Sequence, residues 1–275
     1  MMHARWFGRR GLTALAAPLL IAVVLTGAGP GRASASACVS WTGTQPPAPN
    51  SPPDYRFNGV AVLSRCNAWA VGSYSGPTSY QTLIDHWNGS EWKQVASPNP
   101  GSERNQLVAV AAVSASNAWA VGSYAPAGAD QTLILHWNGT VWKHVASPSP
   151  AAPDNPSYLD GVAAVSSRNA WAVGSYYSPT AQANKTLILH WNGTAWKKMA
   201  SPNPGAGSNV LNGVTAISAS NAWAVGELWN SSGTAQTLVL HWNGIAWKKV
   251  ASPNPGSIGN ELNGVTAISG SNAWA

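Results

Sequence analysis

Apolar positions in this chain come in short bursts separated by Ser, Asn, Gly and Pro, and nothing in residues 57–275 has helical period or length. Each burst reads as a strand. Residues 213–218 form a run of small and β-branched residues, and a brief Ser/Asn turn leads to Ala-Trp-Ala-Val-Gly. A variable loop follows, then a nearly continuous apolar run such as residues 132–137. An Asn-Gly turn leads to a short strand such as residues 246–250. Asn-Gly between apolar runs is a strong hairpin signal, because both residues tolerate positive φ. The Ser-Pro-x-Pro segment that follows ends the fourth strand, since proline cannot donate to a ladder.

This order of bursts repeats. Asn-Ala-Trp-Ala begins at Asn67, Asn117, Asn169, Asn221 and Asn272; His-Trp-Asn-Gly begins at His86, His136, His190 and His241. Ala-Ser-Pro-x-Pro begins at Ala96, Ala146, Ala200 and Ala251. Four strands per fifty residues, repeated in tandem, predict an all-β fold, a β-propeller of four-stranded antiparallel blades. The blades are expected at residues 57–106, 107–158, 159–210 and 211–261, with a partial fifth at 262–275. The chain ends at Ala275 inside the fifth Asn-Ala-Trp-Ala motif, so further blades are expected beyond it. The small first strand suits a crowded axis, and the lysine pairs Lys197-Lys198 and Lys248-Lys249 suit a protected outer edge. Three tryptophans recur per unit, for example Trp119, Trp137 and Trp142, and periodic burial explains them better than a ring of sugar-binding rings.

Ahead of the repeats, Arg5, Arg9 and Arg10 precede an apolar run at residues 12–25 and two A-x-A sites, Ala33-Ser34-Ala35 and Ala35-Ser36-Ala37. Residues 1–37 read as a secretory signal peptide, the apolar run being short for a membrane span. An exported product, extracellular or held at the cell envelope, is expected, with no membrane span in the mature chain. Without the leader, 11 Lys and Arg stand against 9 acids, so no basic stripe suggests nucleic acid. In an exported chain the two cysteines, Cys38 and Cys66, read as a disulfide, with lipidation of Cys38 as the alternative. The Pro-rich segment 38–56 looks like a degenerate fourth strand that could close the ring.

The succession Gly-Val-x-Ala-Val-Ser, Asn-Ala-Trp-Ala-Val-Gly and Leu-x-His-Trp-Asn-Gly-x-x-Trp resembles secreted tandem-repeat propellers of actinobacteria, and more distantly BNR/Asp-box and kelch propellers. The resemblance implies the fold. It departs from the Asp-box at Trp137, which stands where that motif has Asp, and the kelch Gly-Gly doublet is absent. No catalytic residue of the sialidases or oxidases built on such propellers finds a match.

Candidate chemistry is sparse. The four repeated histidines fall on four different blades, which suits hydrogen bonding within each blade more than a metal centre. His144 takes a Lys or Gln position on the outer strand and reads as a surface residue. Asp160 stands where Asn212 and Asn263 stand and reads as a turn residue. Asp85 replaces the leucine of the other blades (Leu135, Leu189, Leu240) and suggests an end blade with an atypical neighbour. No paired carboxylates and no activated nucleophile stand out, and no cofactor is implied. The variable loops carry the remaining signal. Tyr74, Tyr124 and Tyr176 share one repeat position and read as packing residues, whereas Tyr80, Tyr177 and Trp229, with Glu227 beside the last, are unrepeated candidates for ligand binding. The expected role is non-enzymatic binding or scaffolding of a glycan or envelope protein. The alternative is a carbohydrate-active hydrolase or lyase with its site in the central channel or in further blades.

Overall fold

The computed structural model describes Cys38 and residues 54–151, 154–270 and 272–275. Among these residues there is no helix. Eighteen strands form blades in chain order. The first blade is β1 (Tyr55–Ser64), β2 (Asn67–Ser75), β3 (Tyr80–Trp87) and β4 (Trp92–Gln94). The second is β5 (Arg104–Ser114), β6 (Asn117–Ala125), β7 (Gln131–Trp137) and β8 (Trp142–His144). The third is β9 (Ser157–Ser166), β10 (Asn169–Ser178), β11 (Ala183–Trp191) and β12 (Trp196–Lys198). The fourth is β13 (Asn209–Ser218), β14 (Asn221–Trp229), β15 (Ala235–Trp242) and β16 (Trp247–Val250), and β17 (Thr266–Ser269) pairs with β18 (Asn272–Trp274). Within each blade neighbouring strands pair antiparallel in sequence order, and a single parallel pairing of Tyr80 with Arg104 joins the first two blades. The first strands pack side by side, β1 on β5, β5 on β9, β9 on β13 and β13 on β17, so the blades radiate from a shared inner edge as in a propeller.

Local chemistry explains each blade. The Asn-Gly turns are four-residue loops, with Trp87 facing Trp92 across the first and Trp137 facing Trp142 across the second. Gly89, Gly139, Gly193 and Gly244 hold φ between 91° and 97°, which only glycine adopts without strain. The Asn88 side chain accepts from the N–H groups of Ser90 (2.9 Å) and Glu91 (3.1 Å), and Asn138, Asn192 and Asn243 do the same in their turns.

The Ser-Pro-x-Pro segment does more than end a strand. It folds back on the third strand, where the buried Thr186 hydroxyl meets Ser201 Oγ at 2.6 Å and the Thr186 N–H donates to Asn203 Oδ1 at 2.7 Å. Thr82, Thr132 and Thr237 are clamped alike. These bonds satisfy polar groups that the covering blade would otherwise leave buried and unpaired.

Tryptophans join the blades. Trp119 of β6 lies 4.9 Å from Trp191 and 5.1 Å from Trp196, both on the third blade, the latter edge-on. Trp69 meets Trp137 and Trp142 in the same way, and Trp171 meets Trp242 and Trp247. Trp69, Trp119 and Trp171 are closed to solvent and sit among leucines and isoleucines of two adjacent blades. Offset and edge-to-face rings at such distances add roughly 0.5–1.5 kcal/mol per pair beyond burial. A disulfide joins Cys38 to Cys66, in the turn between β1 and β2.

Candidate functional site

The loops between second and third strands, and the links from fourth strand to next first strand, open on one face of the array. Trp229 ends β14 there, 38% exposed. Its indole Nε1 donates to Glu227 Oε1 at 3.3 Å, which fixes the ring plane. The ring borders a groove of about 490 Å³ between the third and fourth blades, lined also by Gln182, Ser208, Asn230 and Ser231 and carrying no charged group. Gln182 is the one non-glycine with positive φ among the described residues, at 49°. Burial raises the Glu227 carboxyl, the bond from Trp229 lowers it in part, and the Glu261 charge raises it again.

Tyr177 holds in β10 the strand position that Trp229 holds in β14, one blade earlier; it is half-buried and its N–H is bonded to Pro156 O at 2.9 Å. Tyr80 is 44% exposed at the start of β3, on the boundary between the first and second blades. The structure thus brings Trp229 and Glu227 together and leaves Tyr80 on another boundary. The repeated tyrosines are held by their own blades: Tyr74 and Tyr124 donate to Gln81 (2.6 Å) and Gln131 (3.0 Å), and Lys198 donates to the Tyr176 hydroxyl.

A second site lies at the inner edge, and Asp160 belongs to it. Asp160 is a strand residue of β9, not a turn residue. The register of β9 on β10 skips between Leu159 and Gly161, leaving Asp160 as an unpaired bulge. Asn58, Val108 and Asn212 occupy the same bulge in β1, β5 and β13. A bulge re-aims its side chain. Here the four bulge residues, with Asn263, line one cavity of about 380 Å³. The next residue is Gly59, Gly161 or Gly213 in three blades, where an added Cβ would lie 2.9–3.2 Å from backbone of the neighbouring first strand. Burial lifts the Asp160 carboxyl to about 7. On the same strand Tyr158 is pushed up to about 12 by burial and by the adjacent Asp130, which is itself ion-paired with Arg104. This convergence was not readable from an alternating pattern, because a bulge breaks the period of two that such a pattern assumes.

The repeated histidines stay within their blades. Each stacks on the central Trp of its own blade at 4.2 Å, and burial lowers all four. His86 and His241 reach Asn67 and Asn221 at 3.2 and 3.3 Å. His144 is exposed and lies edge-on to Tyr124. Asp85 is closed to solvent, both its oxygens lack partners among the described residues, and burial lifts it to about 6.

No protein-family model matches the chain, and no curated protein does. Solved propeller structures are similar at the level of shape. YCF48 bound to D1 peptide shares 15% identity over 71% of this chain and 66% of its own, with a TM-score of 0.37. A gluconolactonase from Xanthomonas campestris shares 14% over 77% and 65%, with a TM-score of 0.44. A fucose lectin from Kordia zhangzhouensis shares 14% over 53% and 99%, with a TM-score of 0.37. The chain spans just under two-thirds of the length of the YCF48 and gluconolactonase structures.

Proposed function

We propose that the chain is an exported, non-enzymatic binding propeller that presents its variable-loop face to a glycan or an envelope protein. The observation that carries this reading is Trp229, an exposed ring braced by Glu227 on the wall of an uncharged groove. A flat apolar face beside amide and hydroxyl groups suits the alternating C–H and O–H surfaces of a sugar ring. Trp229→Ala should weaken binding of neutral cell-wall polysaccharide at least tenfold by isothermal titration while leaving the melting temperature within about 2 °C. Equal binding by wild type and variant, or no binding by either, would sink the groove as the site.

The axial cavity favours a second reading, a carbohydrate-active hydrolase or lyase. Asp160, lifted to about 7, would be a protonated acid near neutral pH, as a general acid must be. Screening of glycan substrates, with Asp160→Asn as control, separates the two readings: turnover abolished in the variant supports the enzyme.

A further inference from the structure

The amides that ring the axial cavity are already half committed. Asn58 Nδ2 donates to Leu107 O of the next blade at 2.8 Å, and Asn212 Nδ2 donates to Leu262 O at 2.9 Å and towards Glu261 Oε1 at 3.4 Å. These bonds tie each bulge to the next repeat; Asn212 Nδ2 directs both its hydrogens to acceptors, and Asn58 Nδ2 keeps one free. The Oδ1 atoms accept no bond from any described residue. Asp160 stands at the equivalent bulge one blade before Asn212 and lines the same cavity. An ionised carboxylate has no donor at all. The inner edge therefore collects acceptors from successive blades around one space, with Val108 as the apolar exception. The charged groups close by do not neutralise it. Tyr158 is neutral, Asp130 is occupied by Arg104, and Glu261 adds negative charge.

Asn58 and Asn263 are exposed and Asp160 and Asn212 partly buried, so water reaches these acceptors, and a group that brings positive charge with donors or open coordination positions can replace it. We infer that the axial cavity binds a small cation, a metal ion or a primary ammonium group, anchored on the Asp160 carboxylate and surrounded by the amide oxygens of Asn58 and Asn212. Hard cations take such mixed carboxylate and amide oxygens, and an ammonium group donates three bonds to them. The cavity has room for water between ion and protein. Cation and proton compete for the same carboxylate, so binding strengthens as pH rises through about 7.

The test is thermal unfolding of the purified protein at pH 8 in calcium chloride, magnesium chloride or methylammonium chloride. Tetramethylammonium chloride at equal ionic strength, a cation without N–H donors, is the reference. The wild type should melt about 2–4 °C higher in at least one of the first three salts. The increment should vanish in Asp160→Asn, which folds because Asn is the residue at the same bulge in the first and fourth blades. A response to calcium or magnesium alone identifies a metal ion, and a response to methylammonium alone identifies an ammonium-bearing ligand. No increment over the reference in any salt, or an equal increment in Asp160→Asn, overturns the inference.

Discussion

Asp85 sets up a quantitative experiment. It lies on the face of β3 shared with Leu83 and Trp87, opposite Ala70 and Gln94, and turned away from the second blade. The other three blades put leucine here, each closed to solvent. Asp85 is equally closed, and its carboxyl rises from 3.8 to about 6 through burial. A folded pKa above the unfolded one means that the native state holds more protons between pH 4 and 6. Stability is greatest below pH 4, declines as pH rises through 6, and stays lowered above it. At about 1.4 kcal/mol per unit, the ionised side chain removes about 2–3 kcal/mol at pH 7.5. Asp85→Leu abolishes this loss. The stability difference between Asp85→Leu and wild type should therefore widen by about 2–3 kcal/mol from pH 4 to pH 7.5, or about 5–10 °C in melting temperature for a domain of this size. Asp160 titrates in both proteins and cancels in the difference. Calorimetry at the two pH values measures it. A difference that stays constant with pH, or a variant less stable than wild type at pH 7.5, refutes the reasoning.

Two further outcomes follow from the packing. Trp171→Ala removes the ring shared by the third and fourth blades and should cost about 3–5 kcal/mol in urea unfolding, with Trp171→Phe losing distinctly less. Thr186→Val keeps the shape but deletes the hydroxyl bonded to Ser201 and Pro202, which should cost about 1–3 kcal/mol; a neutral result would make the Ser-Pro-x-Pro clamp dispensable.

The strands and their order were legible because each blade writes its turns in the same residues: Asn-Gly fixes one hairpin and Ser-Pro-x-Pro ends the last strand. The pairing of Trp137 with Trp142 was also legible, since parity places both on one face. What the central tryptophans do was less visible. Trp119 stacks on His136 in its own repeat, yet its tryptophan partners belong to the next one, and no single repeat contains that contact. The Ser and Asn of the proline segment look like turn residues until Thr186 and its counterparts are seen to be buried beneath them. The axial site was hidden for two reasons. Asp160 matches asparagines that favour turns, and only the bulge shows that this repeat position aims at the axis. The exposure of Trp229 also depended on context, because the same strand position in the second blade holds the buried Ala125.

The shared tryptophans make the chain a one-dimensional array of coupled units. Each of the first three blades places its central ring against its successor, so stability resides at boundaries as much as in blades. A blade that opens breaks two boundaries when it lies inside the array but only one at an end. Amide exchange should therefore be slow around Trp119 and Trp171, whose rings are shared by two blades, and a mutation at one boundary should propagate its effect to the adjoining blades before distant ones.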